Sequence, residues 1–445
     1  MNKFLFDEYR RQYQESKEPI SVNFRDLVPM MNNKERYTHL IHSYPAKLLS
    51  NIPFFFLSEP DVVCPQGGVV LDPFCGTGTV LLEAMLGGYS AFGADANPLA
   101  RLISKVKTTY IPKQKLLHTL SQIISRAHRL HLDYPIDDSI KGWFSESTIK
   151  QLYQLETALN KVTDVDEKDF FMLCFSQLIK KVSYADPTIS VPVKLNPSRF
   201  PIGSERRTSA EFRLETLKAI DVIDKYESIC RLNIDRVDSL SNVACRRNAE
   251  VISADARKLT AHLNSTNLLQ DDSVDLILTS PPYAGAQKYI RSSRLNLYWL
   301  GIKDNSEIRK LNDRNIGRED YKVKEYKQNL TIGIPAADEI LSQLYARGKY
   351  ERAYIVGNYL LEMKVALDEA YRVLKPNGYM VIVIGNNTVC NLSFNTQDYL
   401  TTYLESKGMT LEFKLIDDIK SYGLMTKRNS TANKISCEWV LILKK

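Results

Sequence analysis

The residues best suited to chemistry in this 445-residue chain sit in Thr279-Ser280-Pro281-Pro282-Tyr283, at the end of the apolar run Asp275-Leu276-Ile277-Leu278. A short apolar run reads as a buried strand, and two consecutive prolines then forbid both further sheet pairing and entry into a helix. The chain must stop rigidly there. It presents a hydroxyl, exposed carbonyls and a ring at the carboxyl end of a strand, where open α/β sheets place their ligands. That combination suits a flat, amine-bearing substrate. A second stretch, Leu71-Asp72-Pro73-Phe74-Cys75-Gly76-Thr77-Gly78-Thr79, follows the β-branched Val69-Val70 and precedes an apolar-faced helix, Val80 to Leu86, closed by Gly87-Gly88. In this strand, turn and helix, Gly76 and Gly78 let backbone approach a ligand, and the Thr77 and Thr79 hydroxyls can satisfy N–H groups at the helix start. Leu81 stands where a dinucleotide fingerprint needs its third glycine, which disfavours a pyrophosphate ligand.

Together the two stretches resemble the amino-methylating DNA methyltransferases, and SPPY in particular resembles their cytosine-N4 branch. The resemblance covers roughly residues 36 to 110 and 249 to 445. It implies an α/β fold with a Rossmann-like, seven-stranded methyltransferase sheet, S-adenosyl-L-methionine as cofactor and no metal. Ser280, Pro281, Pro282 and Tyr283 become the catalytic turn, and Asp72, Pro73, Phe74, Gly76, Gly78 and Thr79 the cofactor loop. The segment Tyr37 to Lys47, with His42, Tyr44 and Pro45, resembles the one that holds the methionine end of the cofactor in relatives. From the residues alone, a loop leading into the apolar Leu48 to Leu57 serves equally well.

Asp95 ends the next strand, Ser90 to Asp95, and is followed by Ala96-Asn97-Pro98; Asp95 and Asn97 are both candidate cofactor contacts. An acceptor-only carboxylate there can grip both ribose hydroxyls; the alternative is an N-cap for the helix Leu99 to Lys107. By resemblance Asp255, closing the strand Glu250 to Asp255, accepts from the adenine amino group; otherwise it caps a turn. The resemblance also implies double-stranded DNA as partner, within a restriction-modification system whose cognate endonuclease forms no stable complex with the chain. Ser280 and the Pro281 carbonyl would accept hydrogen bonds from the substrate amine, with Tyr283 stacked on the base or, alternatively, buried in the core.

Two departures matter. The glycine turn precedes SPPY here, whereas many cytosine-N4 relatives have the reverse order, so adenine-N6 methylation stays open. Methylation of guanine N2 in RNA uses a similar turn, though normally with Asp or Asn before the prolines, and a nucleic-acid-binding protein with a vestigial fold is the non-enzymatic alternative. Carbon-5 methylation needs a nucleophilic cysteine. Cys64 precedes Pro65 but lacks such a setting and reads as structural.

Composition, at 44% hydrophobic and 25% charged, is that of a globular protein, and the net charge of +7 permits a polyanionic partner without requiring one. The seven cysteines and six histidines show no metal-ligand spacing; His128 and His131 read as helix surface. No apolar run reaches the roughly 18 residues of a membrane helix, and the charged start MNKFLFDEYRRQYQESKE argues against a signal peptide, so the expected location is cytoplasmic.

The organisation that follows is an N-terminal arm (1–35), a catalytic domain (36–110 and 249–445) and a helical insertion (111–248) that reads the target, a structural lid over the cofactor being the competing account. Within the insertion, Leu116 to Leu130, Ile149 to Leu159, Phe170 to Val182 and Phe212 to Arg231 have helical periodicity, and Asp186 to Ile202 is a proline-rich loop. Lys194, Arg199, Arg206 and Arg207 are the candidate DNA contacts; solvated helix faces are the alternative. Residues 303–328, dense in charge, read as a mobile surface loop. Strand centres fall at Val69, Ala91, Val251, Leu276, Met380, Leu411 and Val440.

Overall fold

The computed structural model describes residues 2–31, 36–44, 47–131, 134, 137–243, 247–285, 289–326, 328–419 and 436–445. Among these, ten strands form: β1 (Ile20–Val22), β2 (Val69–Asp72), β3 (Ser90–Ala94), β4 (Ala249–Ser253), β5 (Val274–Thr279), β6 (Leu374–Ile384), β7 (Asn387–Val389), β8 (Leu392–Phe394), β9 (Thr410–Asp418) and β10 (Cys437–Lys444). Eight of them make one sheet in the order β1-β9-β10-β6-β5-β2-β3-β4, while β7 and β8 pair separately. All neighbours in the sheet are parallel except β10, which runs antiparallel to β6 and β9. Helices cover both faces, which is why β5 is buried along nearly its whole length rather than alternating.

From β2 the chain steps outward to β3 and β4, then crosses back to β5 on the other side of β2. That reversal opens a crevice beyond the carboxyl ends of β2 and β5, the place where doubly wound sheets bind ligands. Asp72 ends β2 and Thr279 ends β5. The Thr279 hydroxyl donates to Asp72 Oδ1 at 2.5 Å, tying the two strand tips together.

Seven of the eight strands lie on the expected centres. The eighth, β1, comes from the N-terminal arm, which is therefore part of the sheet and not a separate appendage: β1 pairs with β9 from Ile20↔Leu415 to Val22↔Asp417. The helix before it, Asn2–Ser16, buries Phe6 against Phe413, with ring centres 5.0 Å apart. Between Leu374 and Tyr379, the expected Lys375-Gly378 turn is a bulge inside β6, with Asn377 at φ 65.

Five longer helices fill the stretch between β3's helix Pro98–Thr108 and β4: Lys113–Arg129, Glu146–Leu159, Val165–Val182, Glu205–Lys218 and Val222–Asp238. The single run expected from Phe212 to Arg231 is two helices, because Asp221 caps a new one by accepting from the Ile223 and Asp224 amides at 2.9 and 3.0 Å. All of these helices except Glu205–Lys218 share one apolar core with Leu99, Ile103 and Val106 of Pro98–Thr108 and with Leu295, Leu297 and Trp299 downstream of the SPPY turn. Trp299 is fully buried among Phe144, Tyr153 and Phe175, with ring centres 6.3, 5.1 and 5.8 Å away. The helical body is thus keyed directly to the element that follows the catalytic turn. Within the charge-rich stretch expected to be a mobile loop, the described residues include a helix, Asn305–Arg314. Asp304 caps the helix Asn305–Arg314, accepting from the Ser306 amide at 2.8 Å.

Candidate active site

One pocket lies at the switch point, lined by Tyr44, Pro73, Phe74, Gly76, Asp95, Ala96, Asp255, Ala256, Ser280, Pro282, Tyr289 and Arg314-Asn315-Ile316. It joins the glycine turn after β2, the acid after β3, the acid after β4 and the SPPY turn after β5. Four segments far apart in sequence converge because their strands are neighbours in one parallel sheet.

Asp95 accepts from two backbone amides, Gly76 N–H at 3.0 Å and Asn97 N–H at 2.7 Å, one on each carboxylate oxygen. One lone pair on each oxygen is left for a ligand. Burial raises Asp95 to about 6, the two amides and Arg101 opposing the rise. The capping role belongs to Asn97, whose Oδ1 accepts from the Leu99 amide at 3.0 Å, so Asp95 is not consumed by the helix. Asn97 Nδ2 donates to the Tyr44 hydroxyl at 2.9 Å and to Ser293 at 3.2 Å, holding Tyr44 in the pocket wall.

Asp72 is buried behind the pocket. Burial pushes it up to about 7 against the Thr279 hydroxyl and the Phe74 amide, which donates to Oδ1 at 3.1 Å. It is a strut between β2 and β5, not a pocket wall. The two glycines also divide their roles. Gly76, at φ 49, faces open space, where an added Cβ would find only Phe74 O at 4.0 Å. Gly78, at φ 69, is pressed on Ser104, which a Cβ would meet at 2.8 Å; it serves helix packing, not ligand approach. Neither threonine caps the helix Thr79–Leu86. Thr79 Oγ1 is buried without a partner among the described residues, and Thr77 receives the buried Lys107 ammonium at 3.4 Å.

Behind this turn Glu83 is buried, accepting from Arg36 at 2.8 Å and meeting His39 Nε2 at 2.6 Å. Burial lowers His39 to about 4 even with that carboxylate beside it. Lys47 donates to the His39 carbonyl at 2.6 Å. This buried group fastens the Tyr37–Lys47 segment to the helix under the glycine turn. His42 faces away from the pocket, its Nε2 3.4 Å from Ser176 Oγ, and burial lowers it to about 4. Pro45 lies outside the described residues.

Asp255 is held in a fork by Arg257, whose Nε and a terminal nitrogen donate at 2.9 and 2.8 Å to its two oxygens. Arg257 also donates to Glu362 at 3.1 Å and to the Arg314 carbonyl at 3.1 Å, linking Asp255 to the Arg314–Ile316 wall. Sequence reasoning missed that wall, and also Tyr289, because neither carries a local motif.

In the catalytic turn, Ser280 and Pro282 line the pocket and Pro281 is buried. Tyr283 does not line it: its hydroxyl donates to Glu438 of β10 at 2.8 Å. Burial, with Glu438 beside it, raises this phenol well above its ordinary range, the Ser280 hydroxyl opposing. The candidate DNA contacts lie elsewhere. Lys194, Arg199 and Arg206 are exposed, Lys194 sitting 5.7 Å over the Trp143 ring, whereas Arg207 is paired with Glu211 at 2.8 Å.

Comparison with known proteins agrees with this geometry. Residues 274–445 match the N6/N4 methyltransferase family model, described as DNA methylase. The chain is 26% identical over 97% of its length, and 95% of the relative's, to the type II methyltransferase M.MvaI of Kocuria varians. It is 22% identical to M.BsoBI of Geobacillus stearothermophilus, covering 92% of this chain and 85% of that one. M.MjaII of Methanocaldococcus jannaschii is 25% identical, over 64% of this chain and 67% of its own. These matches support an amino DNA methyltransferase family for the chain.

The pocket fits the cofactor that this family implies. Asp95 keeps a lone pair on each oxygen, Gly76 leaves room for close approach, and Asp255 and Ile316 offer one polar and one apolar contact for a base. Among the described residues no cluster of His, Cys, Asp and Glu is arranged for a metal, and no helix is long and apolar enough to cross a membrane.

Proposed function

We propose that the chain methylates the exocyclic N4 amine of cytosine in double-stranded DNA, using S-adenosylmethionine, as the modification half of a restriction-modification system. The observation that carries this reading is the placement of Ser280 and Asp95 in one pocket at the switch point of the sheet. Asp95 and Gly76 hold the ribose side of the cofactor, Tyr44 and Phe74 flank it, and Asp255 faces the adenine. Bound there, S-adenosylmethionine supplies an electrophilic methyl group.

An exocyclic amine is a poor nucleophile because its lone pair is conjugated with the ring. Ser280 Oγ and the Pro281 carbonyl accept hydrogen bonds from that amine and localise the lone pair on nitrogen, so catalysis is positioning and electrostatics. The base must leave the duplex to reach them. Pro281 and Pro282 keep both acceptors rigid, and the Thr279–Asp72 bond fixes the turn relative to the cofactor loop. The serine before Pro281 is what favours cytosine over adenine. The helical stretch 111–248 supplies sequence recognition in this account, with the exposed Lys194, Arg199 and Arg206 as its DNA-facing charges.

Ser280→Ala is the direct test. Losing one aligned acceptor should lower turnover about 100-fold, roughly 2.7 kcal/mol of transition-state stabilisation, while cofactor affinity stays within twofold. Turnover within threefold of the unmodified enzyme would refute the role of the turn.

A further inference from the structure

A second cleft, about 320 Å³, opens on the other side of Tyr44. Its catalytic-domain wall is His42, Ser43, Tyr44, Leu99 and the Ser292-Ser293 and Asn296 positions that follow the SPPY turn. Its opposite wall belongs to the helical body: Ser176, Gln177, Lys180 and Lys181 from the helix Val165–Val182, Pro187 and Ser190 from the proline-rich loop, and Arg213. None of these lining side chains is acidic. Lys180, Lys181 and Arg213 make no salt bridge to any described residue. One Lys180 proton goes to the Ile189 carbonyl at 2.9 Å, leaving two donors. Arg213 reaches the carbonyls of Lys180, Lys181 and Ser183 at 3.4 Å each, and its Nε is buried with no partner among the described residues. Burial lowers all three cations from their ordinary values, with Asp186 opposing the change for Lys180 and Arg213, which marks positive charge held partly out of water.

Concentrated cationic donors in a cleft want an anion with several acceptor oxygens. This cleft shares the Tyr44 wall with the pocket that holds Ser280, and it runs along the residues leaving the catalytic turn. We infer that it seats the phosphodiester backbone of the target strand next to the flipped nucleotide, with Lys180, Lys181 and Arg213 as the phosphate ligands and Ser190, Ser292 and Gln177 as neutral donors. The inference rests on the methyltransferase reading and names the path of its substrate. It also gives a purpose to the junction between the helical body and the catalytic domain, since a strand gripped here can be drawn out of the duplex toward Ser280.

The test uses the full chain and a fluorescent duplex containing its recognition site. Each neutralised phosphate contributes about 0.9 to the slope of log affinity against log salt. Lys180→Gln/Lys181→Gln should therefore flatten that slope by about 2 and weaken binding at least tenfold at low salt. Lys180→Arg/Lys181→Arg should restore the slope, and calorimetry should find S-adenosylmethionine affinity unchanged in both, which excludes misfolding. A methylphosphonate beside the target base should weaken binding of the unmodified protein and affect the glutamine variant much less, since only Arg213 still faces that phosphate. An unchanged slope, or a glutamine variant as sensitive to the methylphosphonate as its parent, would overturn the inference while leaving methyl transfer by the parent intact. Should the parent itself transfer no methyl group to DNA, the underlying reading falls and this one with it.

Discussion

Asp95→Asn removes one charge and exchanges one acceptor for a donor in a site where every bond is accounted for. The carboxylate accepts from the Gly76 and Asn97 amides, one on each oxygen. An amide at this position must turn its NH2 toward one of these two N–H groups, so one backbone bond is lost and two donors face each other. The same change removes an acceptor for a ribose hydroxyl. A hydrogen bond to a charged partner contributes about 1.5–3 kcal/mol, so the loss of the ribose bond alone predicts cofactor binding weaker by about 10- to 150-fold, with the unpinned glycine turn adding to it. Protonation of Asp95 has the same consequence as the amide. Because burial holds this group at about 6, affinity for S-adenosylmethionine should fall roughly tenfold per unit as pH drops below about 6 and be flat above 7. Folding stability runs the other way: the unfolded carboxylate ionises near 4, so the folded state retains its proton longer and ionisation subtracts stability as pH rises from about 4 to 6. Calorimetric titration of both proteins between pH 5 and 8 measures this. The variant should bind weakly and without the pH step; binding within threefold of the parent, or the same step in the variant, would refute the ribose grip.

Two further outcomes follow from the same geometry. Thr279→Val deletes the 2.5 Å bond to Asp72 with little change of shape and should cost about 1.5–3 kcal/mol above pH 7, where Asp72 is ionised. Since Asp72 holds its proton up to about 7 in the fold and only to about 4 unfolded, the deficit should shrink toward pH 5.5; denaturant unfolding at pH 5.5 and 8 checks it, and equal deficits would contradict the strut. Tyr283→Phe should lower kcat/KM for DNA about tenfold with cofactor affinity unchanged, because it frees the ring from Glu438, and Tyr283→Ala should lower it at least tenfold more; steady-state kinetics at parental rates for Phe would show that the tether does not position the ring.

Much of the fold and part of the site were legible because strand ends carry local signatures. The glycine turn and SPPY each announce a chain stop, and a parallel sheet that reverses at β2 and β5 brings them together without further instruction. Local signatures fail where two residues offer the same chemistry at one helix start. Asp95 and Asn97 are both good caps, and only the backbone geometry gives the cap to Asn97. They fail again for Thr77, Thr79 and Gly78, whose neighbours Lys107 and Ser104 come from the following helix. The Arg314–Ile316 wall reaches Asp255 through Arg257 across 57 residues of sequence, and its charge-rich surroundings read as loop. The β1 strand was hidden by brevity: three residues, stabilised by an edge already present in β9.

The central proposal is that Ser280, in one pocket with Asp95 at the switch point, directs a methyl group to the exocyclic N4 amine of cytosine in DNA. Its most direct measurement is modification-detecting sequencing, with nucleoside mass spectrometry, of DNA from a methylation-free host expressing the chain and its Ser280→Ala variant. The account predicts N4-methylcytosine at one short recurring sequence in the first strain and almost none in the second. N6-methyladenine at such a sequence, or DNA left unmodified by the parent chain, would contradict it.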